Sequence, residues 1–407
     1  MKNNIFLLIT MLSVIGSSVL LISQTEESKV PYKIVDSGQI RCYDNRTEIQ
    51  YPKTGARFFG QDAFYNGNQP SYRDNGNGTV TDLNTGLMWT QNPGSKKTYK
   101  QAAAGALRCN IGGRSDWRLP TIKELYSLIL FSGTTPNPRR INSSGHQPFI
   151  NSKYFKFRYG KARDGDRIID SQYATCTLYR STTMGGNKTM FGVNFADGRI
   201  KGYPIAGIHG RREKTYYVMY VRGNTDYGKN DFMDNHDGTV TDKATGLMWM
   251  KVDSGKLKAG KMNWQQALEW AENLQYAGYS DWRLPNAKEM QSIVDYSRCP
   301  DSTNSAAIDP IFEATSIINE AGQTDYPFYW TSTTHKSSNG LGRAAVYISF
   351  GRAMGYMRNR WMDVHGAGAQ RSDPKSGDPG DYPTGRGPQG DAIRIYNYAR
   401  LVRDACQ

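Results

Sequence analysis

Two groupings of side chains in this 407-residue chain have types and spacing that could do chemistry. The first is cationic. Arg211, Arg212 and Lys214 put three positive charges within four residues, and Arg139, Arg140, Lys156 and Arg158 form a second set in a loop-rich stretch. Guanidinium forks match sulfate and carboxylate groups bidentately, so such clusters suit polyanion recognition. The second grouping is Trp117-Arg118 with Glu124 six residues on, which returns as Trp282-Arg283 with Glu289. Here the spacing suits a buried indole beside a structural ion pair rather than a ligand contact.

Catalysis has no comparable signal. The five histidines stand apart from any nucleophile and carboxylate, and no Ser-His-Asp, His-Glu-x-x-His, phosphate-loop or dinucleotide signature occurs. The chain is therefore expected to be no enzyme and to carry no cofactor or metal. Asp234-Asn235-His236-Asp237-Gly238 has the wrong spacing for an EF-hand loop and reads as turn chemistry.

Charge separates the two halves. The chain carries a net +14, yet residues 65–224 alone carry +15 and residues 225–407 carry −2. A field of one sign concentrates polyanions at its surface. Nucleic acid would answer the same charge, but the N-terminus argues for export. Lys2 precedes an apolar run, Ile5 to Ile15, and Gly16-Ser17-Ser18 supplies small residues for cleavage. The alternative extends the run to Ile22 and keeps residues 1–23 as an anchor. Either way the body is expected outside the cytoplasm, at the cell surface, in the extracellular space or in the periplasm. Five cysteines then meet an oxidising compartment. Their pairing stays open; Cys109 with Cys176 and Cys299 with Cys406 would keep each bridge within one repeat.

The elements that position these groups occur twice. Gly78-Thr79-Val80-Thr81-Asp82 through Thr85-Gly86-Leu87-Met88-Trp89 returns as Gly238-Thr239-Val240-Thr241-Asp242 through Thr245-Gly246-Leu247-Met248-Trp249. Ser115-Asp116-Trp117-Arg118-Leu119-Pro120 returns as Ser280-Asp281-Trp282-Arg283-Leu284-Pro285. After each, Thr121 with Glu124 and Asn286 with Glu289 form a capping box that opens a helix. The duplication divides the chain into a leader, 24–71, a first repeat, 72–224, and a second, 230–407.

Each repeat is expected to be α+β, with two helices and a mainly antiparallel sheet holding its first and last strands together. A short leader strand is expected at 56–59, and helices at 99–109 and 264–276. Strands are expected at 179–183 and 329–334, at 191–195 with 199–203, at 345–350 with 353–357, and at 217–222 and 399–403. Residues 367–391, dense in Gly, Pro and Asp, read as a long extra loop.

Together these motifs, with Trp330-Thr331-Ser332-Thr333-Thr334 and the closing Val221-Arg222 and Val402-Arg403, resemble the C-terminal domain of Legionella collagen-like protein in tandem copies. The Arg-Leu-Pro segment is also similar to that of formylglycine-generating enzymes. The resemblance implies a C-type-lectin-like fold and adhesion through sulfated glycosaminoglycans. Tyr220 and Leu401 stand where the family commonly has cysteine, and Tyr51 where a second leader cysteine is usual. Formylglycine-generating chemistry needs an active-site cysteine pair near the last strands, which Cys406 alone does not supply.

The reading is an exported, adhesin-like protein that binds anionic polysaccharide through its basic first repeat. The alternative is a structural or protein-interaction subunit of a surface appendage or envelope assembly, with other envelope proteins as partners. The oligomeric state is left open.

Overall fold

A short polar residue followed three positions later by Gln or Glu starts each of the four longer helices. Thr98 caps α1 (Tyr99–Ala106), Thr121 caps α2 (Ile122–Tyr126), Asn263 caps α3 (Trp264–Asn273) and Asn286 caps α4 (Ala287–Ser292). In all four the cap side chain accepts from the third-residue N–H, and that residue's side chain accepts from the cap's own N–H. Each such cap contributes about 1 kcal/mol. This computed structural model describes residues 30–137, 145–207 and 213–405. The expected signal or anchor segment, Arg139, Arg140, Arg211, Arg212 and Cys406 lie outside the described residues.

The leader forms a hairpin of β1 (Cys42–Tyr43) and β2 (Glu48–Ile49). Residues 56–59 are turn, not the expected strand. In the first repeat come β3 (Tyr72–Asp74), β4 (Thr79–Asp82), β5 (Leu87–Thr90), β6 (Gln172–Tyr173), β7 (Thr189–Asn194), β8 (Arg199–Pro204) and β9 (Val221–Gly223). The second opens with β10 (Phe232–Asp234), β11 (Thr239–Asp242) and β12 (Leu247–Met250), and adds a third, one-turn helix, α5 (Pro300–Thr303). It continues with β13 (Ile317–Ile318), β14 (Thr324–Asp325), β15 (Phe328–His335), β16 (Ala344–Ser349), β17 (Met354–Met357), β18 (Arg360–Asp363), β19 (Gln370–Pro374) and β20 (Val402–Asp404). The architecture is thus mixed, with mostly antiparallel sheets and few helices.

Each repeat closes on itself through a small sheet, β3-β4-β5-β9 and β10-β11-β12-β20, in which the last strand pairs with the Leu-Met-Trp strand. Trp89 and Trp249, on those strands, are fully buried in one core that runs through both repeats. The larger sheet is shared: its order is β15-β16-β19-β8-β7-β6, so three strands come from each repeat. They meet at β8 and β19, antiparallel, with Gln370 opposite Ile200. One face of this sheet packs on the common core, and the other on two separate cores, one per repeat.

Two expectations about strands are corrected here. The partner of β16 is not 353–357 but β19, in the stretch read as an extra loop. Met354–Met357 turns back on Arg360–Asp363 as an inserted hairpin, and β19 then enters the place β8 holds in the first repeat. The counterpart of β15 is not 179–183 either. Ala174 N donates to Tyr217 O as Trp330 N does to Tyr398 O, and Cys176 N donates to Pro120 O as Ser332 N does to Pro285 O. Tyr173-Ala174-Thr175-Cys176-Thr177 therefore matches Tyr329-Trp330-Thr331-Ser332-Thr333.

The helices at 99–109 and 264–276 also stop early, at Ala106 and Asn273. Among the described residues no helix is long and apolar enough to cross a membrane.

Cys42, Cys109, Cys176 and Cys299 are free thiols, so Cys109 and Cys176 are not bridged. Tyr220 and Leu401 fill their positions by packing. The Tyr220 hydroxyl donates to Ala102 O at 3.0 Å, and Leu401 is fully buried.

Candidate functional site

The duplicated Trp-Arg-Leu-Pro segments are built alike. Trp117 Nε1 donates to Ile111 O and Trp282 Nε1 to Tyr276 O, each at 3.1 Å. Arg118 forks onto Glu124 at 2.6 and 2.5 Å, and Arg283 onto Glu289 at 2.6 and 2.8 Å. The same glutamates close the capping boxes, so one carboxylate holds both the helix start and the guanidinium. Arg222 and Arg403, on the last strands, pair with Asp116 and Asp281 at 2.7 Å.

The copies differ in their cover. Arg118 keeps 32 % of its side chain exposed, whereas Arg283 keeps 9 %. In the second repeat the leader brings Tyr65 over Arg283, 5.2 Å from ring centre to guanidinium, and the Tyr65 hydroxyl donates to Glu272 at 2.8 Å. Tyr65, Glu272, Asp281, Trp282 and Arg403 line a cleft of about 190 Å³ there. Arg403 pairs with Asp281, and Glu272 accepts from the Tyr65 hydroxyl, so the arrangement is a locked polar wall.

The cationic positions divide. Lys156 and Arg158 are exposed, and Arg158 makes one long hydrogen bond, Nη1 to Gly94 O at 3.4 Å. Lys214 is half-buried, its ammonium 4.8 Å from the Tyr203 ring centre and 5.9 Å from that of Tyr216. Burial lowers its pKa. It is thus a partly desolvated cation over aromatic faces, not an open surface charge. Where Arg139, Arg140, Arg211 and Arg212 lie is outside the described residues.

The acidic turns are used locally. Asp234 Oδ1 accepts from His236 N at 2.9 Å, and Asp237 Oδ1 accepts from Thr239 N at 2.9 Å. Among the described residues, no group of three His, Cys, Asp or Glu side chains is placed to hold a metal ion.

Sequence reasoning missed the charge buried at the seam of the two repeats. Arg199 and Lys201 on β8 and Arg371 on β19 stand together there with Asp197 and Asp391. Alternation along β8 was the available signal, since Arg199, Lys201 and Tyr203 alternate with Ile200 and Gly202. It could not reveal Arg371 as a neighbour. Burial lowers Lys201 to about 7, and burial followed by the Arg199 guanidinium lowers Arg371 to about 10. Burial would raise the Asp197 carboxyl, but Lys201, Arg199 and Arg371 outweigh it and hold it below the usual range.

With this geometry in hand, the family assignment is direct. The model of the Lcl C-terminal domain matches residues 78–222 and again 238–365, more than half of the chain. The chain belongs to the Lcl C-terminal domain family, in two tandem copies, and that family suggests a surface-associated binding protein. No curated protein and no solved structure was found to match the chain.

Proposed function

We propose that this is an exported, non-enzymatic binding protein that recognises anionic polysaccharide of the sulfated glycosaminoglycan type through its first repeat. The supporting observation is the charge asymmetry: +15 over residues 65–224 against −2 over residues 225–407. Duplication starts two copies equal, so a difference this large reflects divergence of one surface. Lys156 and Arg158 supply exposed cations, and Lys214 a cation set against aromatic rings. Each repeat is read as a variant of the C-type-lectin-like fold, and the protein as one that works at the cell surface or in the periplasm without a cofactor.

Retention of the full chain on immobilised heparin, eluted with a salt gradient, tests the proposal. Exposed contacts lose reach as the screening length falls from about 10 Å at 0.1 M salt to about 3 Å at 1 M. Salt-sensitive retention is expected. Absence of retention at 0.1 M would favour a subunit that contacts other envelope proteins.

A further inference from the structure

We propose that the seam between the two repeats is a binding site for one compact oxyanion, the sulfate or carboxylate group of an anionic glycan, held by Arg371, Arg199 and Lys201. For its ligand class this rests on the glycan reading; for its geometry it does not.

The geometry begins with the register. With Gln370 opposite Ile200 on antiparallel strands, Arg371 falls beside Arg199 and on the same face of the sheet. Lys201 follows on that face. Ile200 points to the opposite face, into the shared core. The cationic face lies between the two separate cores, with Tyr203 and Met190 on one side and Tyr347 and Ala345 on the other.

Two guanidiniums and the Lys201 amine, which burial lowers to about 7, here meet two carboxylates. Asp197 Oδ2 is shared between Arg199 Nη1 and Lys201 Nζ, both at 3.4 Å. Asp391 accepts from Arg371 Nη2 and lies 2.8 Å from His365 Nε2. Arg199 Nη2 donates to Ser372 Oγ at 3.3 Å.

What remains points to a ligand. Arg371 is 8 % exposed, and its Nε and Nη1 find no acceptor among the described residues. Among the described residues the buried Nε of Arg199 and hydroxyl of Tyr203 find none either, and Asp197 Oδ1 finds no donor. Leaving a buried charged donor without an acceptor is costly, so a partner such as a water or an ion is expected there. Unmatched guanidinium donors, with a surplus positive charge when Lys201 is protonated, suit an oxyanion, which accepts several charge-assisted hydrogen bonds at once. Lys214, over the Tyr203 ring, extends the positive surface from the seam toward the basic first repeat. The site needs both repeats, since β8 and β19 come from different copies.

Titration of the full-length protein with sodium sulfate at fixed ionic strength, followed by calorimetry, tests the site. Wild type should bind one sulfate per chain saturably, and Arg371→Gln and Lys201→Gln should each weaken binding at least tenfold. Melting in chloride establishes that each variant is folded. Absence of saturable binding to wild type would overturn the proposal whatever the variants do. So would sulfate affinity within twofold of wild type in a folded variant. Heparin binding separates the two readings. Sulfate bound at the seam without heparin binding would keep the site and remove the glycan. Heparin binding without sulfate binding would keep the glycan reading and remove the site.

Discussion

Lys123 and Lys288 occupy the same position in the two repeats, and each caps the other repeat's helix. Lys123 Nζ donates to Ser292 O at 2.6 Å, and Lys288 Nζ donates to Ser127 O at 2.8 Å. Ser127 and Ser292 are themselves matched, each donating its hydroxyl to the carbonyl of its capping-box glutamate at 2.7 Å. The exchange therefore follows a pseudo-twofold axis through α2 and α4. The leader joins it, since Lys288 Nζ also donates to Asp36 O at 2.9 Å. Helix ends leave carbonyls without intrahelical donors, and here the missing donors come from across the repeat boundary.

Replacing either lysine by Met should destabilise the whole chain rather than one repeat. The side chain's volume is nearly kept, but buried carbonyls lose their donors, at about 1–3 kcal/mol. Urea unfolding is the measurement. A variant as stable as wild type would mean that the exchanged bonds contribute nothing net.

Stability should rise from neutral to alkaline pH. Burial raises Asp62 and Asp363 to about 7. A raised folded pKa means the native state binds more protons than the unfolded one, so this contribution is present below the unfolded value and is lost as pH rises to 7. Burial lowers Lys288 to about 7 and Lys123 to about 8. For these the unfolded state holds more protons between the folded value and about 10.4, so stability rises with pH across that window. Unfolding midpoints should be higher at pH 9 than at pH 7. The Lys123→Met, Lys288→Met double variant should lose part of the alkaline rise, Lys201 keeping the rest, and a wild-type midpoint no higher at pH 9 than at pH 7 would contradict the assignment.

Arg283→Ala should cost on the order of 3–5 kcal/mol, because it strands the buried Glu289 carboxylate. Arg118→Ala should cost less, since 32 % of the Arg118 side chain already meets solvent. Neither should remove heparin retention at a temperature where the variant is folded. Retention lost with normal melting would place these arginines in the ligand site.

Replacing Lys156 and Arg158 by Ser should lower the salt concentration at which heparin releases the protein, with the melting temperature nearly unchanged, because exposed charges contribute little to folding. Arg211→Ser with Arg212→Ser should likewise lower that salt concentration. Lys214→Ser should instead also lower the melting temperature, since its ammonium packs on Tyr203 and Tyr216.

What the sequence by itself determined is local. Capping boxes, Gly-centred turns and the six-residue step from Arg to Glu are short-range devices whose partners lie within one or two turns of chain. They were legible twice because duplication copied them, and residues 78–222 and 238–365 are what the family match recovers. What only the tertiary structure decided is long-range. The exchange of Lys123 and Lys288 and the meeting of Arg371 with Arg199 join residues more than 160 positions apart, and a period of two or of 3.6 says nothing about such pairs. The inserted hairpin of β17 and β18 then displaced the alignment of the copies, so the strand completing the shared sheet lay in a stretch whose Gly and Pro content reads as loop. Its strand character comes from hydrogen bonds to β16 within the second repeat and to β8 across the seam, the latter formed only once both repeats are folded against each other.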